Sequence, residues 1–248
     1  MLPPPAADLR AVVVMPVRNE AAGIDVALLA LASQVDATGQ PLDRTTYEII
    51  VLANNCDDDT AQRAHRFAAA HPALALHVLE ARLPPELAHV GHARGCLFDA
   101  ACERLHATAG PRGFIASTDG DTRVDPHWLQ ATRDAFDGGA DAVGGRILTD
   151  EQPVLSQAAR RLQRIDGCHA LLRSRLEDLI DPDANDPWPR HHQHFGASLA
   201  VAAGAYRAAG GMPAVECLED MALVRMLQRT DHRLRHAPTV RVTTSSRL

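Results

Sequence analysis

Short apolar runs alternate with amphipathic stretches along most of this chain of 248 residues. Ala11-Val12-Val13-Val14-Met15 is a compact β-branched run closed by Pro16, a pattern suited to a central strand of a parallel sheet. From residue 20 to about 35 the apolar positions Ile24, Leu28, Leu31 and Val35 recur at helical spacing. Residues 47–52 predict a second strand, 58–70 a second helix ending before Pro72, 74–79 a third strand and 92–106 a third helix. Residues 113–116 predict a strand leading to Asp119, and the following helix carries Pro126 in its first turn, where proline is favoured. Past residue 150 the rhythm changes. Residues 153–180 predict one long helix with Gly167 as its point of bending, and 181–194 a Pro/His-rich loop. Then come a buried strand at 195–203, a helix at 218–229 and a last strand at 235–244.

Strands alternating with helices of this length imply right-handed βαβ units. The expected fold class is therefore α/β: one Rossmann-like domain over 1–248, with a mainly parallel sheet flanked by helices. In such sheets ligands bind at the carboxyl ends of the strands. The polar clusters fall there: Arg18-Asn19-Glu20, Asn54-Asn55-Cys56-Asp57-Asp58 and Asp119-Gly120-Asp121. On a continuing strand, Asp119 and Asp121 would point the same way. Two carboxylates that close favour a cation beside them, and their hard oxygens suit Mg²⁺ or Mn²⁺. An ordinary Asp-rich turn is the competing reading of that tripeptide.

Composition narrows the class. A formal net charge of −6 argues against a nucleic-acid partner, which would call for a basic face. Five scattered cysteines without Cys-x-x-Cys spacing read as reduced thiols. The N-terminus lacks the basic and apolar regions of a signal peptide, and no apolar stretch approaches the roughly 20 residues of a membrane helix. The expectation is a soluble cytoplasmic protein without a transmembrane segment.

Taken in order, the clusters resemble family 2 glycosyltransferases of the GT-A fold over roughly residues 10–230. Val14-Met15-Pro16-Val17-Arg18-Asn19-Glu20 is similar to the family's opening strand and Pro-x-x-Asn-Glu turn. Residues 50–60 resemble its second strand and Asp/Ser/Thr-rich loop, and Gly91-His92-Ala93-Arg94-Gly95 the opening of the helix before the metal strand. Asp119-Gly120-Asp121 stands where the family has Asp-x-Asp, and Gly210-Gly211-Met212 with Glu219-Asp220 resembles its Gly-Gly turn and Glu-Asp pair. Many relatives carry an acidic residue at the end of the second strand; this chain has Ala53 and Asn54 there.

The resemblance implies a nucleotide-binding half at about 10–125 and an acceptor-binding half at about 126–248. It implies that Pro16, Val17, Arg18 and Glu20 line the nucleotide pocket, with Asn54 and Asp58 nearby and Asp119-Gly120 against the donor. Arg94 reaches a phosphate or holds the loop. Asp121 becomes the metal ligand, with Asp119 contacting metal, ribose or both, and His236 a third ligand. Asp220 takes the role of general base beside Glu219. The implied reaction moves a sugar from a UDP- or GDP-type donor to a hydroxyl acceptor, with Mn or Mg as cofactor and inversion at the anomeric carbon. The alternatives are a nucleotidyltransferase and a non-catalytic binding domain of the same fold. His191, His192 and His194, near Trp188, suit an acceptor pocket or a cap over the donor. The arginines of the long helix suit an anionic acceptor or a solvated face.

Overall fold

Seven consecutive buried residues, Ala11–Val17, form strand β1. Their side chains alternate between two apolar layers: Val13, Met15 and Val17 pack on one face of the sheet, Val12 and Val14 on the other. The structure is a computed structural model that describes residues 2–150, 157–213 and 215–245. After β1 come α1 (Ile24–Ala32), β2 (Tyr47–Asn54), α2 (Thr60–Ala70), β3 (Leu76–Ala81), α3 (Val90–Thr108) and β4 (Phe114–Ser117). The chain continues through β5 (Thr122–Val124), α4 (Trp128–Asp137), β6 (Ala142–Thr149), α5 (Gln157–Ile180) and β7 (Leu199–Ala202). It closes with α6 (Ala203–Ala208), α7 (Glu219–Arg229) and β8 (Leu234–Thr244).

One eight-stranded sheet runs β3-β2-β1-β4-β7-β6-β8-β5. The contacts among β3, β2, β1 and β4 are parallel, as expected for strands joined by crossover helices. Beyond β4 the sheet is mixed. β7 is antiparallel to both β4 and β6, β6 pairs parallel with β8, and β5 is antiparallel to β8. The sheet is thus mainly parallel, as expected, with its antiparallel contacts made by β7 and β5. Helices α1, α2 and α4 cover one face through residues such as Leu28, Ala64 and Trp128. Helices α3, α6 and α7 cover the other through Phe98, Tyr206 and Leu223.

Pro16 does not stop β1, because its missing N–H costs nothing where it lies. The Val14 carbonyl accepts from Thr118 N on the β4 side. Pro16, two residues on, turns the same way, past the last β1–β4 pair at Val14 and Ser117. That gap between two strand ends is where the main cleft opens. Two further expectations shift: α1 is confined to Ile24–Ala32, and α4 starts at Trp128, just after Pro126. In the 153–180 segment, α5 runs unbroken through Gly167 from Gln157, and its expected start lies outside the described residues.

Candidate active site

At the carboxyl ends of β1 and β4 lies a cleft of about 480 Å³. It gathers Pro16 from the end of β1, Arg18 and Glu20 just beyond it, Arg94 from α3, Asp119, Gly120 and Asp121 after β4, and Glu219 and Asp220 from α7. Nine of the residues singled out from the sequence thus share one cavity. The remaining four, Val17, Asn54, Asp58 and His236, lie elsewhere. Val17 is 2% exposed and belongs to the core, and Asn54 is buried at the end of β2. Asp58 lines a smaller cleft of about 170 Å³ with Cys56, Glu80 and Arg82. Its carboxylate accepts from Thr60 N at 3.0 Å and Ala21 N at 3.1 Å, so it splices the β1–α1 loop to the start of α2. Partial burial raises the Asp58 carboxyl, and the Thr60 and Ala21 hydrogen bonds outweigh it, leaving it below the ordinary range.

Asp119 and Asp121 are not on a continuing strand. β4 ends at Ser117, and the two carboxylates are presented by the turn between β4 and β5. Gly120 is required between them by close approach: a Cβ there would sit 2.7 Å from Val17 Cγ1 and 3.0 Å from Glu20 Cγ. Val17 thus serves the site from below, by packing beneath the turn.

Arg94 organises the cleft. Its side chain is 4% exposed, and its Nη2 donates to Asp119 Oδ1 at 2.7 Å. Nη1 pairs with Glu219 Oε1, and Nε donates to Ser117 Oγ at 3.1 Å. One guanidinium therefore ties α3, the end of β4 and the start of α7 together, and of the two roles expected for Arg94, phosphate contact or loop anchor, this geometry is that of the anchor. Glycine at 196 makes room for it, since a Cβ there would land on the guanidinium. Gly196 N in turn donates to Asp220 Oδ2 at 2.7 Å, while Asp220 Oδ1 accepts from Met221 N at 2.7 Å. Leu218, just before the acidic pair, has φ of +57°, a left-handed conformation uncommon for a residue with a Cβ. Sequence reading missed Phe195, Gly196, Ala197, Val90 and Leu218, which complete the lining. Nothing in their local pattern marks them; only Gly196, inside an apolar run, is a signal of close approach.

The electrostatics favour a cation. Five carboxylates (Glu20, Asp119, Asp121, Glu219 and Asp220) face two guanidiniums, Arg18 and Arg94, across the cleft. Burial pushes the Asp119 carboxyl up; Arg94 opposes that shift, while Asp121 and Glu219 add to it. With 35% of its side chain still solvent-accessible, Asp119 remains open to a ligand. The hard oxygens of Asp119 and Asp121 are of a kind that suits a divalent ion shared with a ligand's phosphates.

His236 stands apart from this cleft. Its Nδ1 lies 2.7 Å from Asp186 Oδ2 and its Nε2 lies 3.1 Å from His194 Nδ1. It borders a different surface cavity, with Asp183 and Arg190. Among the described residues, no three His, Cys, Asp or Glu side chains are grouped to hold a metal. The expected third ligand is thus committed to the 181–195 segment, which it fastens to β8. His191 and His192 line another cleft, of about 550 Å³, between that segment, β6 and α5, together with Trp188.

This architecture, a single α/β sheet with an acidic cleft at the ends of its leading strands, is that of the GT-A glycosyltransferases. Glycosyl transferase family 2 matches residues 12–181, and the chain belongs to that family. Solved structures agree on the fold. S. aureus TarS 1-349 in complex with UDP is 13% identical with a TM-score of 0.66, covering 96% of this chain and 60% of that one. The mannosyltransferase PcManGT from Pyrobaculum calidifontis, with GDP-Man and Mn²⁺, is 20% identical with a TM-score of 0.61, covering 98% and 59%. GalNAc-T7 with UDP, GalNAc and Mn²⁺ is 12% identical with a TM-score of 0.64, covering 97% and 44%. This chain thus spans about 60% of the length of the first two. No curated protein sequence matches the chain. No helix among the described residues is long and apolar enough to cross a membrane.

Proposed function

We propose that this chain transfers a glycosyl group from a nucleoside-diphosphate sugar to a hydroxyl acceptor. The observation that carries the reading is the convergence, in a family 2 chain, of Asp119, Asp121, Glu219 and Asp220 around buried Arg94 in one cleft. Relatives of the same fold hold UDP, UDP-GlcNAc or GDP-Man, which supports a donor of UDP or GDP type. Two of them are solved with Mn²⁺, which supports a divalent ion, Mn or Mg.

Asp121, with Asp119, is the pair that would hold the ion. When bound, the ion neutralises charge on the departing diphosphate. The chain's own residues do the rest. Arg18, at the rim, supplies a cation to the phosphates, and Pro16, Glu20 and Gly120 shape the donor wall. Arg94 is a positioning residue, because its guanidinium is already committed to Asp119, Ser117 and Glu219. Glu219 is held in that ion pair, which leaves Asp220 as the general base. Each carboxylate oxygen has a second acceptor site beyond the backbone N–H it already receives. Asp220 takes the acceptor hydroxyl's proton as its oxygen attacks the anomeric carbon and the bond to the diphosphate breaks. Attack opposite the leaving group inverts that carbon. The donor half, residues 10–125, and the acceptor half, residues 126–248, meet at this cleft.

The test is a melting-temperature panel of UDP, GDP and their common sugars with and without Mn²⁺ or Mg²⁺, coupled to release of free sugar. A metal-dependent rise with one nucleoside diphosphate, together with slow donor hydrolysis, is expected. Binding without any turnover would make this a non-catalytic domain. Pyrophosphate release from a nucleoside triphosphate and a sugar phosphate would make it a nucleotidyltransferase.

A further inference from the structure

Helix α5 is the element that the fold leaves uncovered. Of its 24 residues only Ser174 is buried. Leu162, Leu172 and Leu179 are 68%, 69% and 65% exposed, and Ile165 and Leu176 stand equally in solvent. A surface helix ordinarily turns its apolar stripe to the core. Here the stripe faces outward, while Gln163, Gly167 and Ala170 on the other side border the cleft beside β6.

The outward positions are ordered. Leu162, Ile165, His169, Leu172, Leu176 and Leu179 follow one another at alternating spacings of three and four. That is the a/d seam of a heptad repeat, and a helix carrying one packs against a second helix by knobs into holes. Isolated apolar residues on a surface need no explanation, but five on one seam do. A single polar residue within such a seam, here His169, sets register.

Charge identifies the other helix. The first turns of α5 carry Arg160, Arg161 and Arg164, whereas in its last turns Glu177 and Asp178 offset Arg173 and Arg175. Laid antiparallel on its own duplicate, the basic end meets the end that carries the acids; laid parallel, the two basic ends meet each other. With Leu162 of one copy opposite Leu179 of the other, Ile165 falls opposite Leu176 and His169 opposite Leu172. The same register sets Asp166 beside Arg173 at both flanking positions, once on each side of a two-fold axis. Both are exposed, and Arg173 makes an open contact of 3.4 Å with Glu177 in its own helix. An interfacial membrane helix is basic along its polar face, whereas the last turns of this one carry no net positive charge.

We propose that α5 pairs antiparallel with α5 of a second copy, so that the protein is a two-fold dimer closed by this seam. The pairing covers the outward face of a helix whose inward face walls the 550 Å³ cleft.

Sedimentation equilibrium of the full chain tests this, with a mass of twice 26.7 kDa expected at micromolar concentration. Leu172→Glu should give the protomer mass. Asp166→Arg and Arg173→Asp each turn two attractions into two repulsions and should weaken the dimer about tenfold in Kd. The double swap, Asp166→Arg with Arg173→Asp, should restore it, which a misfolded variant would not do. Unchanged melting of each variant separates dissociation from unfolding. A monomeric wild-type chain overturns the proposal, and so does a dimer indifferent to Leu172→Glu and to both charge swaps. Monomers that co-sediment with phosphatidylglycerol vesicles would give the seam to a lipid surface and overturn it equally.

Discussion

Arg94 and Gly196 show how one side chain and one missing side chain set the geometry of the cleft. The guanidinium is buried because it satisfies two carboxylates and a hydroxyl together, and it lies where a Cβ at 196 would be. Burying such a charge is tolerable only while its partners remain. Gly196→Ala should push the guanidinium off Asp119 and Glu219 and, through Gly196 N, disturb Asp220. A displacement of that order costs about 100-fold in turnover. Asp220→Asn should lower kcat by about 10² to 10⁴-fold with donor KM nearly unchanged, since it removes the proposed base and leaves the proposed donor wall intact. Transfer assays on both variants check this. A kcat within twofold of wild type for Asp220→Asn would remove Asp220 from the base role.

At the scale of elements, a second buried ion pair joins α3 to the sheet. Glu48 on β2 is 2% exposed, and its Oε2 accepts from Arg104 Nη2 at 2.6 Å, with His77 Nε2 3.6 Å away. Burial raises the Glu48 carboxyl, but Arg104 and His77 outweigh it and hold it below the ordinary range. Arg104→Ala strands this carboxylate in the interior and should cost about 3–5 kcal/mol of stability in urea. Replacing both partners by leucine should recover most of that loss, because apolar residues of similar volume often serve a buried pair's place as well. A single-variant cost below about 1 kcal/mol would show the pair to be solvated.

For the whole molecule, the histidine cluster that docks the 181–195 segment on β8 makes stability depend on pH. His191 is held at about 3, by burial first and then by His236. His194 is held at about 4, by burial first and then by His236. Below the ordinary value of 6.5 the unfolded chain binds these protons and the folded chain does not. Their contribution is therefore full above about pH 6.5 and is lost as the pH falls toward the folded values. The melting temperature should drop between about pH 7 and pH 5, and His191→Gln should flatten that drop. A melting temperature level across that window would contradict it.

Local pattern alone determined a good deal here. β1 and β2 are built on the β-branched runs Val12-Val13-Val14 and Ile49-Ile50-Val51, and apolar positions recur at helical spacing in the helix between them, so these elements could be read without tertiary context. Their order placed Pro16, Arg18, Glu20, Asp119 and Asp121 at one sheet edge, because strands joined by crossover helices end on the same side. The tertiary structure decided the rest. β6 escaped reading because Gly144-Gly145 interrupts its apolar pattern, and those glycines are there for Gln193 and Ser198, about 50 residues away in sequence. The fate of His236 depended on Asp186 and His194, which local spacing does not reveal. Arg94 stood between a phosphate contact and a loop anchor until the fold brought Glu219 to it across 125 positions. Long-range ion pairs and close backbone approaches are properties of the packed chain, and only packing could assign them.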